Sequence, residues 1–338
     1  MRTWCRVGLI VFFFWARVAG ALAPPRREIG KLLRLAGIEG AFEATPLQSG
    51  FCNDVFRVEA AGAEPVVVKL FSAMARARCD APCRGVVDVA VGAAGLGPRV
   101  LARTDDALVC AFVAGVEADE AAVRRDGCRL AVDEIAPKLR ALHALPTPAP
   151  LPAAPAALWR GVDAMLAAYG GARHGPIDAA TLAREARRMR AAVDAVAAAD
   201  VVGHGDLKPS NVMVDAAGAA TFIDFELAGP NYRGYDIFKL FRSSSEPPVT
   251  NADLSRFLAA YLGPSATART VDHILLETRL FEPLTWLEAA IFFAFASVQL
   301  PAKRDEMRAL AADRWCAYEA VAGGPFDANV ARLARHAC

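Results

Sequence analysis

The sequence contains no run of basic residues and almost no excess charge. Its 38 lysines and arginines are balanced by 37 aspartates and glutamates, which leaves a formal net charge of +1. Proteins that bind nucleic acid concentrate lysine and arginine on one surface. No internal repeat is visible either. The composition therefore argues against a nucleic-acid partner.

The sequence also lacks a cysteine framework. Its eight cysteines are spread along the whole chain, unlike the dense spacing of small disulfide-rich secreted domains. Cys79 and Cys83 are close together, but no histidine and no second cysteine pair follows at the spacing of zinc ligands. We therefore expect buried free thiols and no zinc site.

The chain is longer than a usual single domain. With 338 residues, we expect one large domain or two fused ones, with ample core. Alanine is abundant, and segments such as residues 179–199 combine Ala, Leu, Arg and Glu at helical spacing. The composition indicates a helix-rich protein with a smaller β component.

The N-terminus carries an apolar run that is too short to span a bilayer comfortably. Arg2 and Arg6 flank this run at residues 7–15, and small residues follow at 19–23. This is the pattern of a secretory signal peptide. A cleaved signal peptide, a short signal anchor, the first half of a two-part organelle signal and a misassigned start codon remain open, so the location is secretory, organellar or cytoplasmic. We set residues 1–23 apart and expect no stable membrane span in the mature chain.

The most informative stretch is HGDLKPSNVMVD at residues 204–215, followed by FIDFE at residues 222–226. Phosphoryl transfer from ATP needs a carboxylate that accepts the proton of the acceptor hydroxyl and ligands that hold Mg²⁺ against the phosphate oxygens. We predict Asp206 as the proton acceptor, and Asn211 and Asp224 as the magnesium ligands. The alternative, a surface loop with these residue types by chance, does not account for their spacing.

The local pattern predicts how these side chains come together. Residues 211–214 and 221–223 are two short apolar strands, and Asp-Ala-Ala-Gly at 215–218 is a turn of the kind that closes hairpins. The hairpin would place Asn211 beside Asp224.

A lysine in an apolar strand is the main feature of the N-terminal third. Lys69 lies in the β-branched segment at residues 65–71, where a charged group is costly without an anionic partner. The phosphates of ATP would be that partner, and the turn at Ser49-Gly50 would lie over the same phosphates. The alternative is an edge residue whose ammonium group reaches solvent.

The two lobes of the molecule are predicted to meet where the chain leaves the first sheet. Two strands at residues 100–103 and 107–112 precede this point, which we place at residues 111–115. We therefore expect an N-terminal nucleotide-binding lobe at residues 24–113 and a C-terminal catalytic and substrate-binding lobe at residues 114–338.

Several motifs occur together in one order along the chain: GLGP at residues 95–98, LRALH at 139–143, HGD with Asn211 at 204–211, IDFE at 223–226 and NYRGYDI at 231–237. With them, residues 45–321 resemble the choline/ethanolamine kinase and aminoglycoside phosphotransferase superfamily, and the last motif favours its choline/ethanolamine branch. The resemblance implies an α+β, two-lobed protein-kinase-like fold, with a small β-rich N-terminal lobe and a larger, mostly helical C-terminal lobe.

The resemblance also implies an activity and its residues. It predicts a kinase that uses ATP and Mg²⁺ to phosphorylate a small alcohol such as choline or ethanolamine. Asp206 resembles the catalytic base, Asn211 and Asp224 the magnesium ligands, and Lys69 the lysine that binds ATP.

Further roles follow from the same resemblance. We expect nucleotide contacts from Ser49 and Gly50, from Ala111 and Val113 at the hinge, and from Lys208, because protein kinases use a lysine at that position to touch the transferred phosphate. The supporting carboxylates would be Glu226 and Asp236, while His143 and His204 would be structural.

One departure from the family pattern concerns the partner of the ATP lysine. Kinases of this fold pair that lysine with a helix glutamate, but residues 72–94 contain no glutamate. We expect Asp88 to take its place beside Lys69, with Asp80 as the second candidate.

A cationic acceptor needs aromatic rings or carboxylates around its ammonium group. We expect Glu226, Tyr232, Trp286 and Glu288 to line its site.

Another small-molecule kinase of this superfamily and a non-catalytic nucleotide-binding protein are the alternatives to this function, and a protein kinase is a further one. Against the last, the chain lacks the G-x-G-x-x-G, D-F-G and A-P-E segments. Which alcohol is used, and whether the protein is a monomer or a homodimer, stay open.

Overall fold

The computed structural model describes residues 25–47, 52–170, 177–196 and 200–336. The predicted leader therefore lies outside the described residues, and so do Ser49 and Gly50.

The N-terminal part is built around one antiparallel sheet, with the strand order β1-β2-β3-β5-β4. Its elements are α1 (Arg26–Leu35), β1 (Phe42–Pro46), β2 (Asn53–Ala60), β3 (Val66–Phe71), α2 (Ala73–Arg78), α3 (Val86–Ala93), β4 (Val100–Arg103) and β5 (Ala107–Ala111). Alternate residues of β3 are buried, and Val68 packs with Ile29 and Leu33 of α1 in a small separate core. The strands predicted from the sequence are therefore confirmed.

The rest of the described chain is mostly helical, as the resemblance implied. Its elements are β6 (Val116–Glu117), α4 (Arg125–Arg129), a π-helical segment (Leu130–Ile135), α5 (Ala136–His143), α6 (Ala157–Tyr169), α7 (Ala179–Ala195), β7 (Asp200–Gly203), β8 (Val212–Val214), β9 (Ala220–Phe222), β10 (Gly229–Tyr232), α8 (Arg233–Phe241), α9 (Asn251–Leu262), α10 (Ala268–Gln299), α11 (Arg304–Val321) and α12 (Gly324–His336). Two small antiparallel sheets, β6-β8-β9 and β10-β7, lie among these helices.

Helix α10 forms the centre of the helical lobe. It is 32 residues long, contains Pro283, and buries side chains along most of its length against its neighbours. Its length and composition would also suit a membrane span, but 72% of the apolar window is buried inside the molecule. The aromatic residues of this helix are therefore mainly core residues, as expected for a central helix.

The hairpin predicted from the motif is present. Strands β8 and β9 pair antiparallel with Val212 opposite Phe222. Asp215 closes the turn, because its Oδ1 accepts the N–H groups of Ala217 and Ala219 at 2.9 Å each.

The open end of this hairpin carries the predicted magnesium ligands. The N–H of Ile223 donates to the carbonyl oxygen of Asn211 at 3.0 Å. Asn211 therefore lies beside the strand end that leads into Asp224.

Candidate active site

The loop that carries Asp206 is held in place by a close backbone contact at Gly205 and by hydrogen bonds to Asp236. Gly205 has φ of +78°, and a β-carbon there would collide with the carbonyl oxygen of Leu227, so only glycine fits. Asp236 of α8 accepts the N–H groups of His204 at 2.6 Å and Gly205 at 2.9 Å. His143 Nε2 lies 3.0 Å from the same carboxylate. Asp236 therefore supports the loop, as the resemblance implied.

Asp206 lies among three donors at the start of this loop. Asn211 Nδ2 donates to its carbonyl oxygen at 2.8 Å and to Oδ2 at 3.2 Å. Lys239 Nζ is 2.9 Å from Oδ1, and Lys208 Nζ is 3.3 Å from Oδ2. Burial alone would raise the pKa of Asp206, but the two lysines outweigh it and hold the pKa well below the usual range. The carboxylate is therefore ionised at neutral pH and can accept a hydrogen bond from a hydroxyl group.

Asp224 faces the lysine of the N-terminal sheet. Lys69 Nζ is 2.5 Å from Asp224 Oδ1. Burial by itself lowers the pKa of Lys69, yet the Asp224 carboxylate outweighs it and the pKa is raised. Asp224 also has φ of +66°, an unusual conformation for a residue with a side chain and one that is concentrated at functional sites. The lysine predicted for ATP and the aspartate predicted for magnesium therefore meet across the two lobes.

The expected ion pair between Lys69 and Asp88 is not present among the described residues. Asp224 takes the direct contact instead, while Asp88 acts on Lys69 only through its charge. Burial raises the pKa of Asp88, and Lys69 opposes this shift. The aspartate side chain is one methylene shorter than the glutamate of the family pattern, which accounts for the missing contact.

Asn211 and Asp224 fit a magnesium ion. The described residues contain no group of three or more histidine, cysteine, aspartate or glutamate side chains that could hold a metal, but Mg²⁺ commonly takes only one or two protein ligands and completes its shell with phosphate and water. The ammonium group of Lys69 at Asp224 Oδ1 shows that this oxygen accepts a cation. The amide nitrogen of Asn211 is committed to Asp206, so its oxygen is the atom available to a metal.

Three further residues were predicted to contact the nucleotide. Ala111 ends β5, where its N–H donates to the carbonyl oxygen of Arg99 at 2.9 Å. Val113 follows as a half-buried residue in the segment that leaves the sheet. The side chain of Lys208 is 42% exposed, and its ammonium group contacts Asp206. For these three residues, contact with the nucleotide remains a proposal.

Glu226 links the two lobes. Its carboxylate accepts a hydrogen bond from Asn53 Nδ2 and lies 3.5 Å from Arg78 Nη1. Burial raises the pKa of Glu226, Asp224 adds to this shift, and Arg78 opposes it. Arg78 is the last residue of α2, so the helix of the N-terminal part places its guanidinium group against the helical lobe.

Two of the residues expected around an acceptor cation have partners within the protein. Glu288 lies 3.1 Å from Lys239 Nζ. The Tyr232 hydroxyl accepts a hydrogen bond from Trp159 Nε1 at 3.0 Å, and its ring stacks on Phe281 with centroids 5.4 Å apart. Tyr232 is therefore built into the core.

Trp286 is engaged in the same way. The guanidinium groups of Arg242 and Arg314 lie 5.1 Å and 5.5 Å from its ring centre. Each ring and carboxylate that the sequence suggested for a cationic acceptor thus already contacts another side chain of the protein.

Sequence reasoning missed three side chains of the site. Lys239 could have been found, because it lies in the apolar segment of α8 and one turn after Asp236, where a buried lysine needs an anionic partner. Asn53 and Arg78 carried no such signal, since their partner Glu226 is more than a hundred residues away.

Several solved structures share this architecture. The ethanolamine kinase Pv091845 of Plasmodium vivax is 15% identical, with 86% of this chain and 84% of that chain covered and a TM-score of 0.68. A choline/ethanolamine kinase family protein of Mesorhizobium loti is 21% identical, with 92% and 98% covered and a TM-score of 0.65. LicA in complex with AMP is 12% identical, with 85% and 98% covered and a TM-score of 0.60. At these identities the likeness shows the fold.

Among curated proteins, none matches this sequence significantly. The family model of the phosphotransferase enzyme family, APH, matches residues 43–273, which include the N-terminal sheet, the loop of Asp206 and the hairpin. The chain therefore belongs to the APH phosphotransferase enzyme family.

Proposed function

We propose that the protein transfers the γ-phosphoryl group of ATP to the hydroxyl of a small amino alcohol. The observation that carries the proposal is the convergence of Asp206, Asn211 and Asp224 opposite Lys69. A half-buried carboxylate, two oxygen ligands for a cation and a lysine from the N-terminal sheet form the set that phosphoryl transfer requires.

The proposed roles follow from the environment of each group. Asp206 is ionised because Lys239 and Lys208 hold its pKa low, so it orients the acceptor hydroxyl and takes its proton as the new bond forms. Asn211 and Asp224 would hold Mg²⁺, which would neutralise charge on the phosphate oxygens. When nucleotide binds, Lys69 would exchange its contact with Asp224 for the phosphates.

An amino alcohol is the acceptor class best supported by likeness. The NYRGYDI motif at residues 231–237 resembles the choline/ethanolamine branch, and two of the similar structures carry those names. Within the site, Lys239 contacts both Asp206 and Glu288. We assign Glu288 to the acceptor's ammonium group because it shares the Lys239 contact with the proposed base.

The direct test is acceptor-dependent ADP release by the purified chain with MgATP. The acceptors are ethanolamine, choline, glycerol, sugars and a peptide. We expect turnover with ethanolamine or choline and much less with glycerol or the sugars, whereas phosphate on the peptide would point to a protein kinase.

Asp206→Asn keeps the size of the side chain but removes the proton acceptor. We expect it to lower kcat by about 10²- to 10⁴-fold, the usual contribution of general-base catalysis, while nucleotide binding is retained. Asp215→Asn is the matched control, because Asp215 is exposed in the hairpin turn and asparagine can accept the same backbone hydrogen bonds. A loss below tenfold for Asp206→Asn would remove Asp206 from the role of base.

A further inference from the structure

A cavity beside the loop of the proposed base contains two polar side chains, Arg78 and Asn231, that the chemistry described so far does not use. This cavity, between α2, α6, α10 and the start of α8, is lined by apolar residues of α6 and by Arg78, Gly205, Leu227, Asn231, Tyr235 and Glu288. Gly205 directly precedes Asp206, so this cavity borders the loop that carries the proposed base.

Asn231 carries two unsatisfied atoms in this cavity. Its side chain is 0% exposed, and neither Nδ2 nor Oδ1 has a hydrogen-bond partner among the described residues. A buried polar atom without a partner costs about 1–3 kcal/mol, and native proteins contain few of them. An amide with both a free donor and a free acceptor is therefore expected to meet a ligand.

Arg78 adds a positive charge and a further free donor. Its side chain is 5% exposed and lies 3.5 Å from Glu226 through Nη1, while its guanidinium carbon is 5.1 Å from the ring centre of Phe292. These contacts hold the guanidinium plane in place. The buried Nε has no hydrogen-bond partner in the described part of the chain.

We propose that the acceptor carries a carboxylate in addition to its hydroxyl and ammonium groups, and that Arg78 and Asn231 bind this carboxylate. The inference rests on the proposed function and narrows its substrate to a hydroxy amino acid. The guanidinium N–H groups and the amide N–H₂ supply donors that a carboxylate can accept. The free Oδ1 of Asn231 and the carboxylate of Glu288 suit an ammonium group. A simple amino alcohol would leave the donors of Arg78 and Asn231 unpaired.

The test compares acceptors that differ only by one carboxylate. L-serine is paired with ethanolamine, and L-homoserine with propanolamine, in the ADP-release assay. A hydrogen bond to a charged group contributes enough to predict a preference of about 10- to 100-fold in kcat/KM for the carboxylate member of each pair. If the wild-type enzyme uses ethanolamine and propanolamine with the same kcat/KM as L-serine and L-homoserine, the inference is overturned. The proposed function would still stand.

Variants at Arg78 test the residue itself. We expect Arg78→Gln to raise KM for L-serine or L-homoserine by about 10- to 100-fold and to remove the preference; Arg78→Lys should restore part of it, because it keeps the charge without the fork of donors. Arg76→Gln is the matched control: Arg76 is on the same helix, its side chain is 46% exposed, and it pairs with Asp106. An equal loss for acceptors with and without a carboxylate would show that Arg78 acts only on the structure and would overturn the assignment.

Binding measured by calorimetry separates this inference from the proposed function. The wild-type chain is titrated with L-serine and with ethanolamine, with and without MgATP. Binding of L-serine that Asn231→Leu weakens, without phosphorylation of any acceptor, would support the carboxylate site and remove the kinase proposal. Preferential binding of ethanolamine would overturn the carboxylate site.

Discussion

At the scale of single residues, Lys239 acts together with Lys208 to lower the pKa of the proposed base. Its ammonium group lies between Asp206 and Glu288, at 2.9 Å and 3.1 Å. Burial would lower the pKa of Lys239, but the two carboxylates outweigh it and raise the pKa. One buried cation therefore stabilises two carboxylates, and the loss of Lys239 would take this cation from both of them.

This arrangement predicts a change in the pH profile. Because Lys208 and Lys239 lower the pKa of Asp206, wild-type kcat/KM should not fall on the acid side until below about pH 4, the ordinary range of an aspartate. Lys239→Met with Glu288→Gln removes one lysine and its second partner together. The pKa of Asp206 should then rise, so that activity is lost at higher pH as the solution is acidified.

The control is Glu288→Gln alone, which keeps Lys239 beside Asp206. Its acid limb should stay near that of the wild type. Overlapping acid limbs for the double variant and this control would show that Lys239 does not set the ionisation of Asp206.

At the scale of elements, the loop of Asp206 depends on one glycine. Gly205 combines φ of +78° with a direct approach to the backbone of Leu227. The hairpin turn contains a comparable glycine, Gly218, with φ of +86° and no atom within 4 Å of the position that a β-carbon would occupy. The two positions share the backbone conformation and differ in the space around it.

This difference yields a matched pair of variants. Gly218→Ala should cost about 1–2 kcal/mol, the strain of a left-handed residue with a β-carbon, and should retain activity. Gly205→Ala should cost more and should lower kcat strongly, because the loop must shift and carry Asp206 with it. The free energy of unfolding from urea titration and the kcat of each variant are the measurements. Equal effects at the two glycines would contradict the role of the Leu227 contact.

At the scale of the whole molecule, the two lobes meet through polar contacts over the site. Lys69 binds Asp224, and Asn53 and Arg78 bind Glu226. Lys69 and Asp224 are 155 residues apart in the sequence, and Asn53 and Glu226 are 173 residues apart. A ligand that binds these groups of both lobes should therefore raise the free energy of unfolding of the whole molecule.

This predicts a magnesium-dependent stabilisation by ATP. A ligand at about 100 times its Kd stabilises the folded state by about 2.7 kcal/mol, so Mg²⁺ added at constant ATP should raise the Tm of the wild type. Asp224→Asn should remove most of this magnesium-dependent increase, because the amide has no charge; asparagine also tolerates the left-handed backbone at this position. Asp215→Asn serves as the control and should respond as the wild type does. A full magnesium response in Asp224→Asn would exclude Asp224 as a ligand.

Local pattern was sufficient to predict the parts of the site that are close together in the chain. The loop at residues 204–211 and the hairpin that follows could be predicted because strand alternation and turn composition act over a few residues, and the hairpin then brings Asn211 towards Asp224. The charge of Lys69 in an apolar strand was informative for a similar reason, since the cost of burying it depends on its immediate neighbours.

Contacts between distant segments were decided only by the tertiary structure. Lys69 forms its ion pair with Asp224 and not with Asp88. Tyr232 and Trp286 contact other side chains of the protein. Arg78 contacts Glu226 of the helical lobe because it is the last residue of α2 and packs against that lobe. Nothing in the sequence around Arg78 or Asn53 distinguishes them from surface residues, because their partner lies across the lobes and the packing that buries them involves the whole molecule.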